Sequence, residues 1–186
     1  MARHTQAFAS ADGGYQGSNA LVDNTSEFYL DLGKTAGYAT LDLSDTSATM
    51  NLLDYGNVLG IEVIIEDSFG NLNNGAEANT FDTKLFHTTD NEYTDEITTS
   101  IESETPTDRV VGGEANTWGK SWSANDINGI KVRLCNPIEP NGGASIALRA
   151  TFVYARITYN IPGPHIPTLT ITTGRLNIQQ GNITIS

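Results

Sequence analysis

The chain is short of positive charge, nearly without cysteine, and free of long apolar runs. Its 186 residues carry 10 Lys and Arg against 22 Asp and Glu, a formal net charge of −12. Affinity for nucleic acid rests on cations that neutralise phosphates, so no nucleic-acid partner is expected. The single cysteine, Cys135, excludes an intrachain disulfide. It follows Leu134 on the polar side of a strand pattern with no His beside it in sequence, and reads as a quiet, partly buried thiol rather than a nucleophile or metal ligand. No stretch is long and apolar enough to span a bilayer, and Met1 to Ser10 lacks the apolar core of a signal peptide. No membrane partner is therefore expected, and synthesis in a cytoplasm is.

Catalytic motifs are missing too. His4, His87 and His165 stand in unrelated segments, and there is no G-x-S-x-G, H-E-x-x-H or phosphate loop. The pairs Asp95-Glu96 and Glu102 with Glu104 have the chemistry for acid–base work on a sugar or for calcium, but no calcium-loop spacing, and they read as solvated surface. The expectation is a non-enzyme with no catalytic residues, no metal and no cofactor. A helical bundle is excluded as well, since no long segment places apolar residues at i, i+3, i+4 and i+7.

What remains is strand and turn. Ile130, Val132 and Leu134 alternate with Lys131 and Arg133, the period of a strand with one face buried. Ahead of it, Ser123-Ala-Asn-Asp126 has the spacing that caps a helical turn, and Trp118 and Trp122 offer large surfaces to lay over a sheet. The run Ala144 to Tyr159 is too long for one ordinary strand and predicts two antiparallel neighbours. Its apolar parity changes between Ile146, Leu148, Ala150 and Val153, Ala155, Ile157, Tyr159, so a bulge or bend is expected near Thr151, or burial on both faces. Leu59, Ile61, Val63 and Ile65 predict a second core strand, closed by the turn formers of Asp67 to Asn71. Shorter strands are expected around Phe28 to Leu32, Tyr38 to Leu43, Thr83 to His87 and Glu96 to Ile101. Acidic residues crowd Glu62 to Glu114 with only Lys84 and Arg109 against them, which reads as a solvated face or loop.

This spacing of turns predicts an all-β chain, an antiparallel β-sandwich, jelly-roll-like, with an extended β-structured C-terminal tail. The expected divisions are an N-terminal arm or loop over 1–26, the sandwich over 27–160, a Pro-rich spacer over 161–167 and a repetitive tail over 168–186. The tail repeats every seven residues: Leu169, Leu176 and Ile183 are in register, as are Ile171, Ile178 and Ile185, with Gly174 and Gly181 at matching bends. These six apolar residues are the candidate assembly site, because so short a repeat cannot bury its own apolar positions. Trp118 and Trp122 are the candidate glycan contacts. His165, next to the tail, is the weaker candidate for a metal shared between copies.

Asn19-Ala-Leu-Val-Asp23, Tyr38-Ala-Thr-Leu41, Val58-Leu-Gly-Ile-Glu-Val63, Trp118-Gly, Trp122-Ser-Ala-Asn-Asp-Ile127, Gly129-Ile-Lys-Val-Arg-Leu134 and Ile157-Thr-Tyr159 together resemble β-sandwich modules of tailed-bacteriophage structural proteins. The likeness covers most of residues 19 to 160. It implies a jelly-roll-like, non-enzymatic virion protein, often a homotrimer, that contacts major capsid or other virion proteins. The glycine-punctuated tail is similar to the β-structured stems of phage fibres and decoration proteins. A capsid decoration protein or the base of a short head fibre is the leading expectation; a glycan-recognising tail-fibre module comes second and a glycan-cleaving enzyme third.

Overall fold

Alternating side chains need two faces, one dry and one wet, and the strands of this chain meet that need by packing two sheets on a shared core. The structure, a computed structural model, describes residues 1–13, 17–22, 28–31, 40–44, 56–72, 80–100, 105–135, 146–161, 169–172 and 175–178. In chain order the strands are β1 (Ala2–Ala7), β2 (Ser10–Gly13), β3 (Phe28–Asp31), β4 (Thr40–Ser44), β5 (Val58–Leu72), β6 (Thr80–His87) and β7 (Glu92–Tyr93). They continue with β8 (Ile97–Ser100), β9 (Thr107–Gly112), β10 (Lys131–Cys135), β11 (Ile146–Ala150), β12 (Phe152–Tyr159), β13 (Leu169–Thr172) and β14 (Arg175–Ile178). A 3₁₀ turn (Gly17–Leu21) and one short helix, α1 (Ala124–Asn128), interrupt them.

The first sheet runs β1-β12-β5-β11-β3, with β9 also on β5. The second runs β2-β4-β10-β6-β7, with β8 also on β6. Every pairing is antiparallel, so the chain is all-β and sandwich-like. Register aligns the apolar positions in rows. Leu43, Val132 and Leu85 lie side by side across the second sheet, as do Leu41, Leu134 and Thr83. Opposite them, Val153 faces Ile65, Ala155 faces Val63 and Ile157 faces Ile61. All these residues are buried, and the apolar ones join Phe81, Val111, Trp118, Trp122, Ile127 and Ile130 in one core. Each such side chain contributes roughly 1.5–3 kcal/mol before conformational entropy is set against it.

Three sequence expectations are corrected. Residues 2–13 are not an arm: β1 pairs along β12 and β2 along β4, with Phe8 buried between them, so this segment links the two sheets along one side. The pattern hid β1 because the inward positions that follow Ala2 are half-buried His4 and buried Gln6, not hydrophobes. Second, β5 does not stop at Asp67 but continues to Leu72, because β11 offers a hydrogen-bonded edge to residues that would otherwise favour a turn. Third, β11 and β12 are not neighbours; they lie end to end on β5.

The expected bend at Thr151 is present between them. Phe152 faces Glu66 and Arg149 faces Phe69, which leaves two residues between on each strand and no insertion. The extra residue appears on the other edge of β5: Ile65 faces Arg109 and Ser68 faces Thr107, so Glu66 and Asp67 oppose Asp108 alone. This β-bulge puts Asp67 at φ 48°. Its amide donates to Asp108 Oδ1 (3.1 Å) and its Oδ2 accepts from Thr151 Oγ1 (3.2 Å).

Candidate functional site

Three parts of the molecule bear on function: the tail, the tryptophan and histidine corner, and the outer face of the second sheet. In the tail, β13 and β14 form a two-stranded sheet of their own. Leu169 lies opposite Ile178 and Ile171 opposite Leu176, so these four candidates share one face, while Thr170, Thr172, Arg175 and Asn177 share the other. The repeat therefore folds back on itself instead of stacking equivalent positions. Ile183, Ile185 and His165 lie outside the described residues.

Trp118 and Trp122 do not offer their rings to a glycan. They are 6% and 7% exposed, and each indole nitrogen is used internally: Trp118 Nε1 donates to Ile61 O (2.9 Å) and Trp122 Nε1 to Thr117 O (2.7 Å). Gly112, at φ +91°, admits the first of these rings, since a Cβ there would stand 2.9 Å from Trp118 Nε1 and 2.4 Å from Ile61 O. The correction has a simple cause: a strand-flanking Trp covers the end of a core as well as it covers a sugar. Trp122 also forms part of the wall of a cleft of about 420 Å³ at the end of the sandwich, with Ile127, Ile157 and Tyr159.

His87 packs edge-on to Trp122, ring centres 5.0 Å apart. Its Nε2 lies 3.1 Å from Ser121 O and 3.5 Å from Asp126 Oδ2, and its Nδ1 lies 3.3 Å from the Asp90 amide and 3.1 Å from Asp90 Oδ2. Beside it, Ser123 and Asp126 form the expected capping box of α1. Ser123 Oγ donates to Asp126 Oδ2 (2.5 Å), the Ser123 amide donates to the same oxygen (2.8 Å), and the Thr89 amide donates to Asp126 Oδ1 (2.8 Å). Burial alone would raise the Asp126 carboxyl, but these bonds from Ser123 and Thr89 outweigh it and bring it down to about 2. A serine, a histidine and two aspartates thus meet from distant segments, and the serine hydroxyl is committed to the helix cap.

The outer face of the second sheet is polar and ordered. Register places Asp12, Asp42, Arg133 and Lys84 in one row across β2, β4, β10 and β6. Arg133 Nε and Nη2 donate to Asp42 Oδ1 (2.6 Å) and Oδ2 (2.7 Å), a two-pronged pair. The guanidinium carbon lies 4.2 Å from the centre of the Tyr93 ring, which meets Phe86 edge-on at 5.3 Å, and Lys131 Nζ lies 4.8 Å from the Phe86 ring centre. Lys84 pairs with Glu96 at 2.8 Å, and Thr98 Oγ1 donates to Asp82 Oδ1 at 2.6 Å.

Titration follows these contacts. The Asp42 hydrogen bonds raise the Arg133 guanidinium further, the Glu96 hydrogen bond raises Lys84, and burial raises the Tyr93 phenol and the Cys135 thiol. Two grooves flank the Arg133–Tyr93 stack. One, of about 500 Å³, is lined by Thr40, Asp82, Lys84, Glu96 and Cys135. The other, of about 330 Å³, is lined by Ser10, Asp12, Asp42, Ser44 and Lys131. Sequence reasoning placed Arg133 and Cys135 on the wet side of β10 but missed the site. Tyr93 reaches it only because the turn after β6 returns β7 to the same edge, a tertiary fact with no local signal.

Among the described residues no cluster of His, Cys, Asp and Glu is built to hold a metal. Neither a family model nor a curated protein matches the chain.

Proposed function

We propose that this chain is a non-catalytic structural protein of a tailed-bacteriophage particle, a jelly-roll-like module on the capsid exterior that decorates the shell or forms the base of a short fibre. Its work is mechanical. The sandwich is the rigid body, and the tail joins copies to one another as a homotrimer and to major capsid or other virion proteins, so stabilisation comes from interface shared among many copies. One observation carries the reading: the tail hairpin is a sheet apart, with four apolar positions on one face. A two-stranded hairpin is marginal in water alone and gains stability from a third strand or an apolar cover. The sequence resemblance to phage sandwich modules supports the particle, and the charge of −12 supports an exterior that does not adhere to polyanions.

Light scattering on the full chain and on a chain ending at Ile161 tests the assembly. The full chain is expected at three times its 20.0 kDa mass and the shortened one as a monomer. Equal oligomer sizes would remove the tail from self-association. Mass spectrometry of purified, protease-washed particles tests the location, and absence from them overturns it.

A further inference from the structure

We propose that the outer face of the second sheet binds an uncharged oligosaccharide, laid across the two grooves on either side of Tyr93. This site is independent of the tail and of the tryptophans. Charge comes first. The larger groove sets Lys84 against Asp82 and Glu96, the smaller sets Lys131 against Asp12 and Asp42, and both share Arg133, so the whole site holds three cations against four carboxylates. Arg133 and Lys84 already face carboxylates, at 2.6 Å and 2.8 Å. A phosphate finds no surplus of positive charge here, and among the described residues the carboxylates form no cluster built to hold a cation. A ligand dense in groups that both donate and accept finds carboxylate lone pairs, ammonium protons and the hydroxyls of Thr40, Ser10 and Ser44.

Shape and stiffness point the same way. Tyr93 lines both grooves and supplies aromatic surface of the kind that packs against the C–H face of a sugar ring. Arg133 is fixed between Asp42 in its plane and Tyr93 above it, so little side-chain freedom remains to be lost on binding. The polar groups stand mainly on strands rather than on loops, which fixes their spacing. At about 500 Å³ the larger groove falls within the usual range for a small-ligand site, and its continuation past Tyr93 suits an extended chain of sugars.

The test uses the full chain, calorimetric titration and amide NMR shifts. The neutral probes are maltohexaose, cellohexaose, hexa-N-acetylchitohexaose and mannohexaose, and dextran sulfate is the anionic one. The expected result is millimolar or tighter binding of at least one neutral probe, with shifts centred on Thr40, Lys84 and Tyr93. Tyr93→Ala is expected to weaken it roughly tenfold. Glu96→Gln, at an exposed position that leaves the core untouched, is expected to weaken it too and decides the matter if Tyr93→Ala does not fold. The proposal is overturned if no neutral probe binds, if dextran sulfate alone binds, if shifts map elsewhere, or if both variants bind like the parent chain.

Discussion

Asp126 is a carboxylate held in its ionised form by where it sits. Its carboxyl is at about 2 in the folded chain, against roughly 3.9 when unfolded. A depressed carboxyl contributes stability that is complete above the unfolded value and disappears as pH falls through the folded one. Asp126 therefore contributes about 2 kcal/mol that is lost between about pH 4 and pH 2. In urea melts, Asp126→Asn is expected to be well below the parent chain at neutral pH and to converge on it near pH 2; a gap that stays constant refutes the role. This cap was legible in the sequence because Ser123 and Asp126 are three apart and the chemistry is local. The fate of the tryptophans was not, since apolar surface has no address until the sheets that cover it are in place.

At the scale of the element, β5 shows what pattern reading can and cannot see. Ile61, Val63 and Ile65 share one parity and were legible as a core strand; Asp67 to Asn71 look like a turn and are strand, because the partner that makes them so is β11, far along the chain. Register against β9 requires the extra residue, and Asp67 accepts a left-handed backbone that β-branched residues resist. Asp67→Val is expected to cost about 1–2 kcal/mol. Asp67→Asn, which tolerates the same conformation, is expected to cost less. Chemical denaturation of the pair checks this, and equal losses would locate the cost in the lost carboxylate instead. Likewise, the alternation that put Arg133 on the wet side of β10 gave no hint of Tyr93, which stands 40 positions away.

Across the whole molecule, excess negative charge works against compactness. Arg3, Lys84, Lys120, Arg133 and Arg156 each already face a carboxylate, so much of the acidic surplus has no countercharge within the chain. Raising salt from about 0.01 M to about 1 M shortens the screening length from about 30 Å to about 3 Å. Repulsion among the surplus carboxylates then fades, and the thermal midpoint is expected to rise by about 2–4 °C. A midpoint that falls with salt would mean the ion pairs outweigh the surplus.

The joining of β1 to β12 also governs when the molecule can be finished. Ala2 lies opposite Tyr159, so β1 leaves the ribosome well before β12 and waits for it before it has a partner. The second sheet can begin to collapse during synthesis, but the first is held open until β11 and β12 have been made. Contacts of such long sequence separation slow folding, and the waiting strand, with its backbone unpaired, is where a chaperone or a neighbouring nascent chain would first take hold.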